Sequence, residues 1–180
     1  LVTTGESNTM TDNSENKYIR LVDRNGWEFA QRIGCSSVVC IVPVTSDGQL
    51  ILIEQFRPPL DKVVVELPAG LVGDLADQPD ESLRQAAERE LLEETGYVAS
   101  DWKELVTVAS SSGLTDEVVT FFLARNLERK TAGGGDDSED IRVHSVPLAE
   151  VESWLDEAIV AGKVVDVRIY AAIHFATSQR

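Results

Sequence analysis

Three glutamates, Glu90, Glu93 and Glu94, are spaced so that their carboxylates can act together. On a helix, where each residue turns by about 100°, offsets of 0, 3 and 4 place them within one arc of roughly 100°. Like charges this close destabilise a helix by roughly a few tenths of a kcal/mol per pair, so a compensating partner is expected. A hard divalent cation bound through carboxylate oxygens is the natural candidate. The spacing therefore predicts a metal-binding face on this helix.

The residues around these glutamates form a longer pattern of fixed spacing. It runs from Gly70 through Glu81 to the string Arg89-Glu90-Leu91-Leu92-Glu93-Glu94-Thr95-Gly96-Tyr97. This pattern resembles the signature of the Nudix hydrolases, which cleave nucleoside diphosphates linked to another moiety. A solvated acidic helix surface is the alternative, and the match of the whole string, including the arginine and the terminal glycine, disfavours it. Residues 71–80 carry about five more positions than the family pattern, which predicts a longer loop beside the metal site.

Two further strings narrow the resemblance to the ADP-sugar pyrophosphatase branch of the family. They are Gln55-Phe56-Arg57-Pro58-Pro59 and Glu66-Leu67-Pro68-Ala69-Gly70, and the likeness extends over about residues 27–172. It implies that Mg²⁺, with Mn²⁺ as an alternative, is held by the backbone carbonyl of Ala69 and by Glu90, Glu93 and Glu94. Glu81 and Arg89 are implied to support these ligands without touching the metal. A plain salt bridge on the helix surface is the alternative for Arg89.

The string Trp27-Glu28-Phe29-Ala30-Gln31-Arg32 resembles the nucleotide-binding segment of the same branch. There an aromatic ring stacks on adenine, an acid accepts from its amino group and an arginine reaches the substrate. Trp27, Glu28 and Arg32 match these roles, which suit the chemistry of their side chains. Arg57 matches an arginine that contacts phosphate, and its planar fork suits a diphosphate. Two alternatives stay open: Trp27 as a partly buried strand residue, and Arg57 as half of a structural ion pair.

The resemblance implies that the general base is a glutamate on a loop. In relatives it comes from the loop before the last sheet strand, and Glu139 matches that position. Glu117, in the string Leu114-Thr115-Asp116-Glu117, is the rival, and Glu94 is implied to be catalytic as well as a metal ligand. A loop carboxylate can close over a substrate. Plain solvation in an acidic loop is the alternative for Glu139.

The branch implies hydrolysis of the diphosphate of an ADP-sugar, with ADP-ribose giving AMP and ribose 5-phosphate. ADP-ribose pyrophosphatases carry a proline in a Ser-Pro-Gly turn, whereas this chain has Ser111-Ser112-Gly113. GDP-mannose or another NDP-sugar is therefore an alternative substrate. A non-catalytic domain that senses a nucleotide is a further alternative, which the intact carboxylates disfavour. The resemblance also implies a homodimer whose N-terminal strands complete the neighbour's site, so that Trp27 would stack on a nucleotide held mainly by the other subunit.

The elements that must position these residues are short strands around one long helix. Strands are predicted at 27–33, 36–44, 50–56, 63–67, 105–109, 118–123 and 141–146, and later helices from Pro147 to about Ala161 and from Asp166 toward Ser178. The turn at 46–48 predicts a hairpin between the second and third strands. Ser82 and Gln85 form a capping box that begins the long helix, and Gly96 ends it. The predicted fold class is α/β, a Nudix α/β/α sandwich around a mixed β-sheet.

The composition limits the partners of the chain. Its 31 acidic and 16 basic residues give a net charge of −15, which argues against nucleic acid. An anionic substrate then requires local arginines and metal to reverse the potential inside the site. Residues 1–17 are predicted to be a flexible polar leader without a signal-peptide plan, and 18–180 a single domain. Cys35 and Cys40 are spaced with their side chains on opposite faces, which disfavours a disulfide, and no apolar run is long enough for a membrane span. A cytoplasmic protein is expected.

Overall fold

The chain folds into ten strands and three α-helices within the residues that the computed structural model describes, which are 17–35, 37–75, 80–135 and 140–178. The elements are β1 Ile19–Arg24, β2 Trp27–Arg32, β3 Ser37–Pro43, β4 Gln49–Arg57, β5 Lys62–Glu66, β6 Ala69–Val72, α1 Leu83–Thr95, β7 Tyr97–Ala109, β8 Val118–Arg129, β9 Arg142–Pro147, α2 Val151–Val160, β10 Val164–Val165 and α3 Arg168–Ser178. The leader predicted at 1–17 lies outside the described residues except for Lys17.

The strands divide among two four-stranded sheets and a hairpin. The first sheet has the order β6-β3-β8-β7 and the second β10-β5-β4-β9, while β1 and β2 form a hairpin from which Ala30 makes an isolated parallel bridge to Thr115. Both larger sheets are mixed, because β3 runs parallel to β8 and β10 parallel to β5, whereas their other pairs are antiparallel. The predicted α/β class is confirmed, with the mixed sheet present as two sheets.

Strand β3 is buried on both faces and explains how the layers stack. Its residues Val38, Cys40 and Val42 join a core that contains both large sheets, α2 and α3. The alternate residues Val39 and Ile41 pack against α1 together with side chains of β8. Because successive side chains of a strand point to opposite faces, an unbroken apolar run is the sequence pattern of a strand covered on both sides. Helices therefore lie on both faces of β3.

Helix α1, which carries the acidic face, begins and ends where its sequence predicts. The Ser82 hydroxyl accepts from the backbone N–H of Gln85 at 3.3 Å, and the Gln85 side chain accepts from the backbone N–H of Ser82 at 3.0 Å. Gly96 ends the helix with φ of 77°, a left-handed conformation that favours glycine. A Cβ there would lie 2.3 Å from the carbonyl oxygen of Thr131, so this glycine also lets the 131–135 segment approach the helix end.

Two sequence-based expectations about these elements were wrong. The turn at 46–48 joins β3 to β4, but the two strands enter different sheets and share only the bridge between Val44 and Leu50. A local turn signal fixes the reversal of the chain and not the partner of each strand. The second helix begins at Val151 rather than Pro147, because β9 pairs with β4 as far as Pro147. No α-helix in the described segments is long and apolar enough to cross a membrane.

Candidate active site

A cleft of about 970 Å³ opens between α1, β6, the 108–117 segment and the start of α3. It brings together most of the residues that the sequence singles out, although they come from distant parts of the chain: Arg32, Arg57, Ala69, Arg89, Glu90, Glu93, Glu94 and Glu117. Trp27, Glu28 and Glu81 do not line it. The predicted base Glu139 lies outside the described residues.

Arg89 is the hub of the acidic cluster. Its Nε and Nη2 donate to the two carboxylate oxygens of Glu81 at 2.9 and 3.0 Å, a bidentate pair that holds the guanidinium in one orientation. Its Nη1 donates to Glu90 at 2.7 Å and to Glu93 at 3.1 Å, and Nη2 also donates to the carbonyl oxygen of Leu71. The hydrogen bonds to Glu81 raise the pKa of Arg89 above its already high value. This side chain is therefore a permanent cation that orders the carboxylates.

Glu90 occupies a place that exists only because residue 70 is glycine. A Cβ on Gly70 would lie 1.9 Å from Oε1 of Glu90 and 2.0 Å from its Cδ, which is impossible without movement. Burial is the main cause that raises the pKa of Glu90 to about 7, against the opposing charge of Arg89. The carboxyl group thus faces the cleft at the edge of ionisation near neutral pH.

Glu94 is fixed against the strand that carries the predicted backbone ligand. Its side chain is buried, and Oε2 accepts from the backbone N–H of Ala69 at 3.0 Å. Since Ala69 is the first residue of β6, this bond joins the C-terminal turn of α1 to the start of the strand. The predicted ligands Ala69, Glu90 and Glu94 consequently lie around one end of the cleft.

These donors fit a hard divalent cation. All are carboxylate or carbonyl oxygens, and a bound cation would add to Arg89 in offsetting the burial that disfavours the ionised form of Glu90. Within the described segments, however, no three acidic, histidine or cysteine side chains already converge as a metal site. In this arrangement Glu90 and Glu93 accept hydrogen bonds from Arg89, and Glu94 accepts one from the backbone N–H of Ala69.

The two predicted phosphate-binding arginines also line the cleft, each beside an acid. Arg32 forms an ion pair with Glu117, the rival for the general base. Arg57 donates from Nε to Glu66 at 2.7 Å, and Glu66 is buried. Arg57 thus does take part in an ion pair, as the alternative interpretation held, while its guanidinium still lines the cleft.

Trp27 and Glu28 are not among the residues that line the cleft of their own chain. The indole of Trp27 is 63% exposed, and its Nε1 donates to the carbonyl oxygen of Gly113 at 3.3 Å. Trp27 is thus a strand residue, as the alternative held, but it is exposed rather than partly buried in the single chain. Glu28 is exposed on the same strand, β2.

Sequence reasoning missed four charged residues that line the cleft, Glu66, Asp74, Asp166 and Arg168. Asp74 follows β6, and its carboxylate is 3.6 Å from Arg89, so it adds a further acid to the hub. Glu66 stands in a string that the resemblance already used, which was an available signal. Asp166 and Arg168 follow β10, and only the parallel pairing of β10 with β5 brings them beside Glu66.

Comparison with known proteins gives consistent results along the chain. Residues 36–166 match the NUDIX domain family. The ADP-ribose pyrophosphatase of Bacillus subtilis is 35% identical over 141 residues, which is 76% of this chain and 70% of that protein. The methanol dehydrogenase activator of Bacillus methanolicus is 30% identical over 78% of this chain and 72% of its own length. The GDP-mannose pyrophosphatase of Klebsiella pneumoniae is 34% identical over 64% of this chain and 60% of its own length.

A solved structure shares the fold. The crystal structure of an ADP compounds hydrolase superposes with a TM-score of 0.65 at 23% identity, and the match covers 89% of this chain and 90% of that one. At this identity the likeness establishes the fold of the chain.

Proposed function

The chain belongs to the Nudix hydrolase family, and from that premise we propose that it hydrolyses the diphosphate bond of a nucleoside diphosphate sugar. The observation that carries the proposal is the cleft itself. Its lining contains both the carboxylates of α1 and the arginines Arg32 and Arg57. A diphosphate requires cations on its oxygens and a metal to neutralise it, and this cleft offers arginines and oxygen ligands for a metal in a chain of net charge −15.

In this proposal the acidic residues of the cleft bind the metal and the arginines bind the substrate phosphates. Ala69, Glu90, Glu93 and Glu94 hold Mg²⁺, with Mn²⁺ as the alternative, and Glu81 and Arg89 keep the glutamates oriented. When bound, the metal neutralises diphosphate charge and activates a water for attack. Arg57 and Arg32 bind the phosphate oxygens, for which the planar guanidinium fork is well suited.

We assign the general base to Glu139 and keep Glu117 as the rival. The loop that leads to Glu139 is tied to the site, because the N–H groups of Gly134 and Gly135 donate to the carbonyl oxygens of Glu94 and Glu93 at 2.9 and 3.1 Å. Glu117 lines the cleft, but its ion pair with Arg32 commits its carboxylate. Because a paired carboxylate accepts a proton less readily, this ion pair counts against Glu117 as the base.

The substrate that we favour is ADP-ribose, cleaved to AMP and ribose 5-phosphate. An ADP-ribose pyrophosphatase is similar to this chain over a larger share of its length than a GDP-mannose pyrophosphatase is. GDP-mannose is the second candidate, because that relative is almost as similar in identity and Ser112 stands where ADP-ribose pyrophosphatases have proline. A panel containing both sugars separates the two.

We further propose that the active species is a homodimer. Trp27 and Glu28 lie exposed on the β1–β2 hairpin and outside the lining of their own cleft, which supports a role for them in the site of another copy. In the partner's cleft, Trp27 would stack on the base while Glu28 accepts from its amino group. Dilution of the enzyme should then lower specific activity in step with dissociation measured by light scattering.

The other proposed properties follow from the thiols and the charge. Cys35 and Cys40 are both free, and Cys40 is fully buried, which supports a reducing cytoplasmic setting. We expect no nucleic-acid partner because the chain carries 31 acidic residues against 16 basic ones.

The direct test is product release from a panel of nucleotide sugars in Mg²⁺, coupled to a phosphatase, with Glu94→Gln beside the wild type. Turnover of ADP-ribose that the variant loses would support both the site and the substrate. Turnover of GDP-mannose alone would support the same hydrolysis but with guanine, rather than adenine, as the nucleobase that the enzyme recognises. Nucleotide binding without any cleavage would refute the hydrolase proposal.

A further inference from the structure

Four side chains of alternating charge form a continuous row in the lining of the cleft, and none of them belongs to α1. Asp166 contacts Arg168, Arg168 contacts Glu66, and Glu66 contacts Arg57. All four line the cleft. The row ends at Arg57, the arginine assigned above to the diphosphate, and the other three members have no role in that assignment.

Asp166 and Arg168, at the end of the row away from Arg57, are held in place by several hydrogen bonds. Arg168 donates from Nε and Nη2 to the two oxygens of Asp166 at 2.9 and 2.6 Å, and its backbone N–H donates to the same carboxylate at 2.7 Å. Asp166 in turn donates its backbone N–H to the carbonyl oxygen of Val65 at 2.9 Å, directly before Glu66. Although burial opposes its charge, the hydrogen bonds to Asp166 raise the pKa of Arg168 above its ordinary value. Arg168 is thus a fixed cation attached to β5.

Glu66 divides its two oxygens between two arginines. Oε2 accepts from Nε of Arg57 at 2.7 Å, and Oε1 lies 3.6 Å from Nη2 of Arg168. Arg57 therefore uses only its inner nitrogen, and its two terminal amino groups have no hydrogen-bond partner among the described residues. This arrangement leaves those groups available to phosphate oxygens.

We propose that Arg168 is a positioning residue that, through Glu66, keeps the terminal amino groups of Arg57 directed at the substrate diphosphate. Without the charge at residue 168, Oε1 of the buried Glu66 would lack a cation. The guanidinium of Arg57 can then satisfy both oxygens in a bidentate pair, the geometry that arginine and carboxylate prefer. Its terminal amino groups would turn from the cleft toward Glu66, and diphosphate affinity would fall. The inference rests on the proposed function for the role of Arg57.

The test is a double-mutant cycle with ADP as the probe, since ADP presents a diphosphate and needs no turnover. Calorimetry would give the ADP affinity of the wild type, Arg168→Gln, Arg57→Gln and the double variant. We expect Arg168→Gln to weaken ADP binding about tenfold, and to have less than about a twofold effect when Arg57 is already glutamine. Equal losses in both backgrounds would overturn the inference, because a merely structural role does not depend on Arg57.

Two further variants keep the test decisive. Arg168→Lys retains a cation beside Glu66 without the fork, so it should recover most of the lost affinity, and no recovery would count against a charge-based role. Should Arg168→Gln not fold, the same cycle is run with Arg168→Lys. Its effect on ADP affinity is expected to be smaller than that of Arg168→Gln and to disappear when Arg57 is already glutamine. Arg84→Gln is the matched control for net charge, because Arg84 pairs with Glu88 on the surface of α1.

Hydrolysis is measured separately on each protein. If the wild type cleaves no nucleotide sugar but ADP binding shows the coupling, the proposed function fails and the positioning role stands. If the wild type cleaves a sugar, Arg168→Gln should raise KM more than it lowers kcat. Loss confined to kcat would overturn the positioning role alone.

Discussion

Replacement of Gly70 by alanine probes the closest contact in the site. The new Cβ would lie 1.9 Å from Oε1 of Glu90, whereas carbon and oxygen atoms in ordinary contact are about 3.5 Å apart, so the carboxylate must move by about 1.6 Å. The nearest atoms belong to the end of a flexible side chain, and the backbone at Gly70 needs no left-handed φ. Glu90 is therefore expected to give way while the fold persists.

The size of the effect follows from what that movement breaks. Glu90 loses its 2.7 Å hydrogen bond to Arg89, which contributes roughly 1.5–3 kcal/mol as a charge-assisted bond. Misplacement of a reacting or metal-binding group by about 1 Å can lower turnover about 100-fold. We therefore expect kcat/KM to fall about 100-fold, equivalent to about 2.7 kcal/mol, and the free energy of unfolding to fall by about 2 kcal/mol or less.

The assay combines steady-state hydrolysis, Mg²⁺ titration and denaturant unfolding on Gly70→Ala. Gly113→Ala is the matched control, because a Cβ there meets nothing within 4 Å. It should change none of the three quantities appreciably. Wild-type turnover and Mg²⁺ affinity in Gly70→Ala would refute the placement of Glu90 in the metal site, and complete unfolding would refute the view that only its side chain moves.

Four further predictions concern the same cleft. Glu94→Gln should retain the fold, since an amide oxygen can still accept a hydrogen bond from the N–H of Ala69. It should lower turnover at least about 100-fold in the phosphatase-coupled assay. Near-normal turnover would exclude Glu94 as a metal ligand. Glu139→Gln should lower kcat about 100-fold and leave the Mg²⁺ affinity nearly unchanged. Glu117→Gln should instead change mainly KM, because it releases Arg32 from its ion pair. The reverse pattern would assign the general base to Glu117. Arg89→Met leaves the carboxylate of Glu81, which is 2% exposed, without its cation. Denaturant titration should therefore show the free energy of unfolding lowered by about 3–5 kcal/mol. The surface variant Arg84→Gln should lower it by about 0.5 kcal/mol or less. Burial raises the pKa of Glu90 to about 7, so below that pH Mg²⁺ must displace a proton from this carboxyl group. Calorimetry should therefore show the Mg²⁺ affinity falling as the pH drops from about 7 to about 5. A constant Mg²⁺ affinity would show that Glu90 is not a ligand.

Sequence reasoning succeeded where the interactions are local. Ser82, Gln85 and Gly96 fix both ends of α1 through hydrogen bonds within about four residues, and the helical repeat then places Glu90, Glu93 and Glu94 on one face. The α/β class and the family also follow from patterns that can be read along the chain.

Reasoning from the sequence failed where distant segments choose their partners. The turn at 46–48 has hairpin chemistry, yet β3 and β4 separate because each pairs with strands far along the chain. The end of β9 at Pro147 is likewise set by pairing with β4 and not by a local helix signal. Turn residues determine a change of direction, whereas sheet partners depend on burial of both faces.

The sequence by itself determined the family, the acidic helix face and the arginine at its hub, because the residues concerned are close in sequence and share one helix. Only the tertiary structure decided which other charges share the cleft with that face. Arg168 meets Glu66 through the pairing of β10 with β5, and the indole of Trp27 donates to the carbonyl oxygen of Gly113. Contacts between residues about a hundred positions apart depend on strand pairing over long loops, which no local propensity encodes.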